Sequence, residues 1–246
     1  VHLRRAEQLY RNLPDNSYNL GITLNLLTYC ILPTDPAAAE VSGAEAYRLM
    51  EIVASDPKSS VEILQEVASS IPAIGRARML KGDHEWSLSM LRDWRDFQIR
   101  ILGADSLPVA SVLDIMSQCE QRRTDDPNHN KNTEDLLRQS LAIREKKLNS
   151  NDLELVISRA RLGEFLVNRH NYAEAAPLLT RSLEDHRRLL GPGNNNLFTP
   201  LLGLARLRIA MGELDAAETI YQEIDAIPKR SREPNSGRVN RDLAHL

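Results

Sequence analysis

The sequence is poor in aromatic residues, and neither sign of charge dominates it. Phe, Trp and Tyr make up 4% of its 246 residues, and 31 basic side chains stand against 34 acidic ones, for a net charge of −3. Strand-rich sandwiches and barrels favour aromatic and β-branched residues, so this composition favours helices. Nucleic acid requires a basic footprint that is absent here, and we expect no nucleic-acid partner.

The chain also has few residues that could hold a metal or perform catalysis. Cys30 and Cys119 lie far apart without a CxxC motif, and the six histidines never pair at metal-ligand spacing. We therefore expect no metal, no cofactor and no disulfide. The many carboxylates lie among Lys and Arg, a pattern typical of solvated helix surfaces. No catalytic residues are predicted.

Long apolar runs are missing as well. The longest, from Leu20 to Leu32, is interrupted by polar residues, and it is shorter than the roughly 20 residues that span a bilayer. We expect no membrane segment, and no signal peptide is recognisable. With the absent disulfide pattern, these features predict a cytoplasmic protein. Because the chain begins at Val1 rather than Met, we also expect it to be a fragment.

An internal repeat of 42 residues is present between about residues 128 and 224. The equivalent apolar and small positions include Leu136, Leu178 and Ile220; Thr133, Ala175 and Ala217; and Gly163 and Ala205. Upstream, Gly75 and Leu91 lie 88 residues before Gly163 and Leu179, respectively. This interval corresponds to two repeats with small insertions. Each unit alternates two helical patterns, which predicts stacked helix pairs.

The apolar spacing predicts about ten or eleven helices. The clearest are Leu153 to Arg169 and Tyr172 to Leu190, in which Pro177 is tolerable near the start. Further predicted features are helices over residues 13–32 and 44–54, a helix over 59–81 with a kink or break at Pro72, and an exposed turn over 122–132.

Three regions follow from how regular this pattern is. Residues 1–81 are predicted as degenerate N-terminal helical repeats, and residues 82–227 as regular repeats. Residues 228–246 carry five basic side chains against two acidic ones without apolar periodicity, which predicts a flexible basic tail.

Four segments resemble the tetratricopeptide repeat in its 42-residue form, as found in kinesin light chains: residues 103–110, 141–148, 171–179 and 212–221. The resemblance covers roughly residues 82–226. It implies an all-α, right-handed α-α superhelix of about five helix pairs, whose first helices line a concave groove. Such a groove suits a protein or peptide partner.

The resemblance also implies which side chains face that groove. Those we expect to contact a partner are Asp114, Gln118, Arg122, Glu164, Asn168 and Arg206. The full set of groove positions is Ser111, Asp114, Gln118, Gln121 and Arg122; Ile157, Ala160, Glu164, Val167 and Asn168; and Thr199, Leu202, Arg206, Ile209 and Ala210. Kinesin light chain-like repeats usually carry an Asn pair in this helix, but Asp114-Ile115, Ala160-Arg161 and Leu202-Gly203 stand there instead. A clamp built from Asn ladders is therefore not expected.

These features predict a non-catalytic interaction scaffold. A fainter resemblance, to repeats that follow bacterial serine/threonine kinase domains, leaves open a regulatory or substrate-recruiting part of a larger enzyme. No kinase motif lies in this chain. A third alternative, a sensor of small peptide signals, rests on Trp86, Trp94 and the kink at Pro72. The two Trp residues could form an aromatic ligand platform or pack in the core.

Overall fold

The structure, a computed structural model, describes residues 2–13, 16–70, 72–191, 193–194 and 197–227. These residues form twelve helices and no strand: α1 (His2–Arg11), α2 (Ser17–Ile31), α3 (Pro36–Ser55), α4 (Val61–Ser69), α5 (Ala73–Leu80), α6 (His84–Leu102), α7 (Leu107–Arg122), α8 (His129–Lys147), α9 (Leu153–Asn168), α10 (Tyr172–Leu190), α11 (Phe198–Ala210) and α12 (Leu214–Ala226). With α4 and α5 taken as one broken helix, α2 to α12 form five pairs preceded by α1. The predicted all-α class and number of pairs are confirmed.

Most helix bounds follow the apolar spacing. The helix predicted over Tyr172 to Leu190 is confirmed in full, and the one predicted from Leu153 ends one residue earlier than expected. The helix predicted over residues 44–54 is longer, because Asp35 caps it by accepting the Ala38 N–H at 3.0 Å. Pro177 is the sixth residue of α10, so it lies in the second turn, slightly beyond the predicted position in about the first turn.

The chain divides into two compact units, Val1–Ile143 and Arg144–Leu246. The division falls within α8. The predicted boundary at residue 81 lies inside unit 1, between α5 and α6, which pack against each other. The predicted basic tail, residues 228–246, lies outside the described residues. Within the described part of the chain, no helix combines the length and apolar character needed to cross a membrane.

In unit 1 the predicted break at Pro72 is confirmed, and side chains from two other helices satisfy its backbone. A helix end leaves carbonyl and amide groups without intrahelical partners. The Trp94 indole N–H donates to the carbonyl oxygen of Ser70 at 2.9 Å, and Gln98 Nε2 donates to that of Ala68 at 2.6 Å. At the start of α5, the Ala73 N–H donates to Asn25 Oδ1 at 2.8 Å. These hydrogen bonds give partners to three backbone groups that the break would otherwise leave unsatisfied.

In unit 2 the helices α9, α10 and α11 pack around Leu179. Its side chain is fully buried, and it lies against Gly163 of α9 and Gly203 of α11. The two glycines allow both first helices to approach α10 closely. Ser182, one turn further along α10, donates its hydroxyl to the carbonyl oxygen of Val156 at 2.8 Å. Unit 2 thus combines close apolar packing with a buried hydrogen bond between paired helices.

Candidate functional site

The residues predicted to contact a partner are divided between the first helices of three repeats. In unit 1, helix α7 carries Asp114, Gln118 and Arg122; in unit 2, helices α9 and α11 carry Glu164, Asn168 and Arg206.

Asp114 is buried between the helices of its own repeat. Only 6% of its surface is exposed. The Ser140 hydroxyl of α8 donates to Asp114 Oδ1 at 2.6 Å, and the same hydroxyl lies 3.0 Å from the carbonyl oxygen of Ala110. A buried carboxylate needs such hydrogen bonds, so Asp114 joins α7 to α8 and offers little surface to a partner.

Gln118 and Arg122 reach the surface of α7. Gln118 is half-buried, and Arg122 is exposed. Arg122 Nη1 donates to the carbonyl oxygen of Gln118 at 3.1 Å and lies 3.9 Å from Met79 Sδ. The guanidinium is therefore held along α7 on a side chain that stays exposed to solvent.

In unit 2, Glu164 and Arg206 meet across adjacent first helices. They stand 42 residues apart, at the same position of successive repeats, and Arg206 Nη1 lies 3.5 Å from Glu164 Oε1. Their side chains are 22% and 20% exposed, respectively. Each charge partly neutralises the other on this face.

The remaining groove positions of unit 2 separate into packing residues and accessible ones. Ala160, Val167 and Leu202 are buried. The accessible positions are the half-buried Ile157 and Ile209 and the exposed Asn168, Thr199 and Ala210. Asn168 and Ala210 are again equivalent positions, 42 residues apart. The face of α9 and α11 thus presents partly apolar surface beside the Glu164–Arg206 pair.

A second polar group of unit 2 surrounds the buried carboxylate of Asp185. Its oxygens lie 2.8 Å from Arg188 Nη2, 3.3 Å from Arg159 Nη1 and 3.4 Å from Arg181 Nε. Burial raises the pKa of Asp185, but the hydrogen bonds from Arg188 and Arg181 outweigh that effect and hold the pKa below its usual range. Arg159 also lies 3.5 Å from Glu145, so these ion pairs connect α8, α9 and α10.

The next residue, His186, is buried beside this carboxylate. Its Nδ1 lies 2.9 Å from the carbonyl oxygen of Ser182; because a carbonyl only accepts, Nδ1 carries the hydrogen. Burial lowers the pKa of His186, opposed in part by Ser182 and by the charge of Asp185. The imidazole is consequently neutral near pH 7.

Comparison with known proteins identifies these repeats. The family model for the tetratricopeptide repeat matches residues 154–226, which span α9 to α12. These residues therefore match the tetratricopeptide repeat, over less than a third of the chain. No curated protein matches the sequence.

Two solved structures share the fold of this chain. BtubC (BKLC) from P. vanneervenii has a TM-score of 0.72 and 13% identity, over 100% of this chain and 91% of that one. The nearly identical TPR-like repeats of a putative kinesin light chain from Podosopora anserina have a TM-score of 0.62 and 18% identity, over 89% of this chain and 100% of that one. The likeness extends the fold to the N-terminal repeats, where the family model has no match.

The two Trp residues have separate roles in this repeat protein. Trp94 is buried, with its ring 5.8 Å from that of Tyr47 and 5.2 Å from that of Phe97. Core packing is therefore confirmed for Trp94, and the predicted alternative of a shared aromatic platform is wrong. Trp86 is half-buried, and the Arg78 guanidinium lies 4.4 Å from its ring centre.

Two further kinds of site to consider in the described residues are groups of side chains that could bind a metal ion and reactive thiols. No group of three or more His, Cys, Asp or Glu side chains there could hold a metal ion. Cys30 is exposed and Cys119 is buried, and neither forms a disulfide. Burial raises the pKa of the Cys119 thiol to about 12, which keeps it protonated and unreactive at neutral pH.

Sequence reasoning missed Asp185, although the repeat contains a signal for it. Phe97 and Ile143 stand 88 and 42 residues before Asp185, so a carboxylate occupies a position that is apolar in the two preceding repeats. All three side chains are buried. A charged residue at an apolar repeat position indicates a buried polar contact, which here is supplied by three arginines.

Proposed function

We propose that this tetratricopeptide repeat protein binds a protein or peptide partner on the first helices of its repeats and catalyses no reaction itself. The observation that carries the proposal is the contact between Glu164 and Arg206 at 3.5 Å. Because these residues are equivalent, their contact means that α9 and α11 place the same side of each repeat on one shared face. A partner segment lying across both helices would meet repeated positions in order.

The chemistry of this face favours a partner that contributes apolar side chains. Ile157 and Ile209 are half-buried, and a ligand that covers them gains the free energy of removing apolar surface from water. Glu164 and Arg206 are already paired, so a strongly charged ligand would have to compete with one of them. Asn168 and Ala210 are exposed on the same helices and would lie within reach of the bound segment.

Unit 1 offers a second surface of the same kind on α7. Gln118 and Arg122 are accessible there, and a further segment of the partner could use their donors. In unit 1, as in unit 2, the binding residues lie on a rigid helix, which limits the entropy lost on binding.

Site-specific photo-crosslinking tests the proposal. A photoreactive amino acid is placed at Asn168 or Ala210 on the proposed face, and at the exposed Thr180 of α10 or Thr219 of α12 as matched controls. After partner capture from lysate, we expect the first two positions to crosslink to a protein that the control positions do not reach. Equal crosslinking from all four positions would contradict the proposal.

Substitution then tests whether the face supplies affinity. Asn168→Arg with Ala210→Arg adds bulk and charge to it, and Thr180→Arg with Thr219→Arg makes the same change elsewhere. The captured protein should be lost from the first variant and retained by the second. Circular dichroism verifies that both remain helical.

We extend the proposal to the cytoplasm as the site of action. The two cysteines are free, one of them exposed, and unpaired exposed thiols are typical of reducing compartments. Fluorescent tagging of the full-length protein in its host would test the location.

A further inference from the structure

Two arginines on the first helices of unit 1 have no carboxylate partner. Arg76 of α5 and Arg122 of α7 are exposed, and neither forms an ion pair with any residue that the structure describes. In unit 2, by contrast, Arg206 lies beside Glu164 at 3.5 Å. The first helices of unit 1 therefore present guanidinium groups whose charge is not already paired.

The repeat register explains this difference between the units. Arg76 stands 88 residues before Glu164, and Gln118 stands 46 residues before it, so all three occupy the same position of their first helices. Unit 1 thus has two side chains that can donate hydrogen bonds where unit 2 has a carboxylate in contact with a guanidinium. Arg122 adds further donors one turn beyond Gln118.

Helix α5 lies between α2 and α7. On one side its Ala73 N–H donates to Asn25 Oδ1 of α2 at 2.8 Å, and on the other its Met79 Sδ lies 3.9 Å from Arg122 Nη1 of α7. At 100° per residue, Arg76 falls midway between Ala73 and Met79. Arg76 therefore projects from α5 on the side that lies between α2 and α7, where the Arg122 guanidinium also reaches α5.

Apolar and aromatic side chains border the Arg76 guanidinium. Burial raises the pKa of Tyr29 of α2, and the charge of Arg76 opposes that rise, so the guanidinium lies within electrostatic range of the phenol. Leu80, one turn after Arg76, is 55% exposed, and Leu26, one turn before Tyr29, is 50% exposed. The face combines unpaired positive charge with accessible apolar surface.

The three helices that form this face supply no exposed carboxylate. Helices α2 and α5 contain no acidic residue, and the two acidic residues of α7, Asp114 and Glu120, are buried. Asp114 accepts the Ser140 hydroxyl, and Glu120 lies 3.6 Å from Arg92 of α6. Neither carboxylate is available to Arg76 or Arg122.

Exposed carboxylates of the first helices of unit 1 lie on α4, before the break at Pro72. They are Glu62 and Glu66. Burial and a hydrogen bond to Glu66 raise the pKa of Tyr18, at the start of α2, to about 12. Tyr18 stands 11 residues before Tyr29, or about 16 Å along a helix. The positive charge is thus confined to one part of the face, and a continuous polyanion laid across it would also meet α4 carboxylates.

We propose that the face formed by Arg76 and Leu80 of α5 with Gln118 and Arg122 of α7 binds an acidic segment of the partner protein. The guanidinium groups donate to Asp or Glu side chains of that segment, and an apolar side chain beside them covers Leu80. This inference rests on the proposed function, because it assigns the chemistry of the segment that meets unit 1. Nucleic acid fits less well, because it favours a broad basic surface rather than two arginines.

NMR of the arginine side chains tests the proposal in the full 246-residue chain. The probe is a short peptide in which Glu and Ser alternate around one Leu, acetylated and amidated so that its ends carry no charge. We expect the Nε–H signals of Arg76 and Arg122 to shift with this peptide and to stay in place with its counterpart in which Gln replaces each Glu. Equal shifts with both peptides overturn the proposal.

Matched charge variants separate the site from general attraction. Arg76→Gln with Arg122→Gln should weaken binding of the Glu peptide by about tenfold or more, because hydrogen bonds to charged groups are lost. Arg48→Gln with Arg100→Gln removes the same charge from exposed positions of the second helices α3 and α6 and should leave the affinity within about twofold. Equal weakening in both variants overturns the proposal.

Two further measurements complete the test. An oligouridylate that shifts the same arginine signals and binds more tightly than the Glu peptide overturns the proposal, because the favoured occupant is then a nucleic acid. Asn168→Arg with Ala210→Arg should leave binding of the Glu peptide unchanged. Failure of the crosslinking experiment on α9 and α11 is therefore distinguishable from failure of the peptide to bind α5 and α7.

Discussion

Gly163 of α9 lies so close to Leu179 of α10 that a Cβ atom added to the glycine would be 2.7 Å from Leu179 Cγ. Gly75 and Leu91 form the equivalent contact in unit 1, where the added atom would lie 3.3 Å from the Leu91 side chain. Both members of the second pair stand 88 residues before those of the first. The interval seen in the sequence therefore corresponds to a repeated close approach of two helices.

Gly163→Ala should destabilise the protein. The added methyl group meets Leu179, whose side chain is also packed so close to Gly203 that a Cβ atom added there would lie 2.9 Å from Leu179 Cδ2, and overpacking of this kind costs about 1–3 kcal/mol. Gly75→Ala is the matched control. Its closest atom, at 2.4 Å, is the terminal methyl of Met90, which can rotate away. Urea denaturation should show the larger loss for Gly163→Ala, and equal losses would contradict this account of Leu179.

Asp185→Asn should reduce the free energy of unfolding by about 2–4 kcal/mol, because it removes the buried partner of a largely buried guanidinium. Arg159, with its side chain 14% exposed, would keep Glu145 at 3.5 Å but lose its buried carboxylate. The neighbouring Glu184 is exposed, so Glu184→Gln should change stability by less than about 0.5 kcal/mol. Chemical denaturation of both variants measures the difference. A loss for Asp185→Asn as small as for its control would show that the arginines do not depend on this carboxylate.

Acidification should destabilise the protein through His186. Burial lowers the pKa of His186, so near pH 6 the unfolded chain, with a His pKa of about 6.5, binds more protons than the folded one. The contribution of His186 to the free energy of unfolding therefore falls as the pH drops through the pKa that this histidine has in the unfolded chain. Asp185, whose pKa is also lowered, contributes in the same direction only at lower pH, as its carboxylate protonates.

The comparison of wild type with His186→Gln isolates this effect. Glutamine retains an N–H donor for the carbonyl oxygen of Ser182 and does not titrate. Denaturation midpoints between pH 7.5 and 5.5 should decline more steeply for the wild type. Parallel declines would assign the pH dependence to other groups.

Gly212→Ala should destabilise the turn between α11 and α12 by about 1 kcal/mol through backbone conformation alone. Gly212 has a φ of +78°, and nothing lies within 4 Å of an added Cβ atom. Gly212→Asn should cost less, because Asn tolerates this conformation. His170, which stands 42 residues earlier, occupies the equivalent turn position with a φ of +61°. Thermal denaturation should rank Gly above Asn above Ala, and a different order would show that backbone conformation is not the controlling factor.

The groove positions show where sequence reasoning reaches its limit. Glu164 and Arg206 were predicted as partner contacts from their place on the first helices, but their mutual contact at 3.5 Å depends on the separation of α9 and α11. Asp114 was predicted on the same grounds, yet it is buried and accepts a hydrogen bond from Ser140, which lies 26 residues away in the sequence. Whether the six positions bind a partner stays a prediction.

The sequence by itself determined the helices and their repetition. Apolar residues at helical spacing identify which side of each helix is buried, and their recurrence at 42 residues identifies equivalent sides, because both properties are local and periodic. The tertiary structure alone decided which polar groups of different helices meet: Trp94 and Gln98 of α6 at the break near Pro72, and Arg159 of α9 with Asp185 of α10. Such contacts act over about 3 Å between different helices, and helical spacing along one segment does not encode those distances.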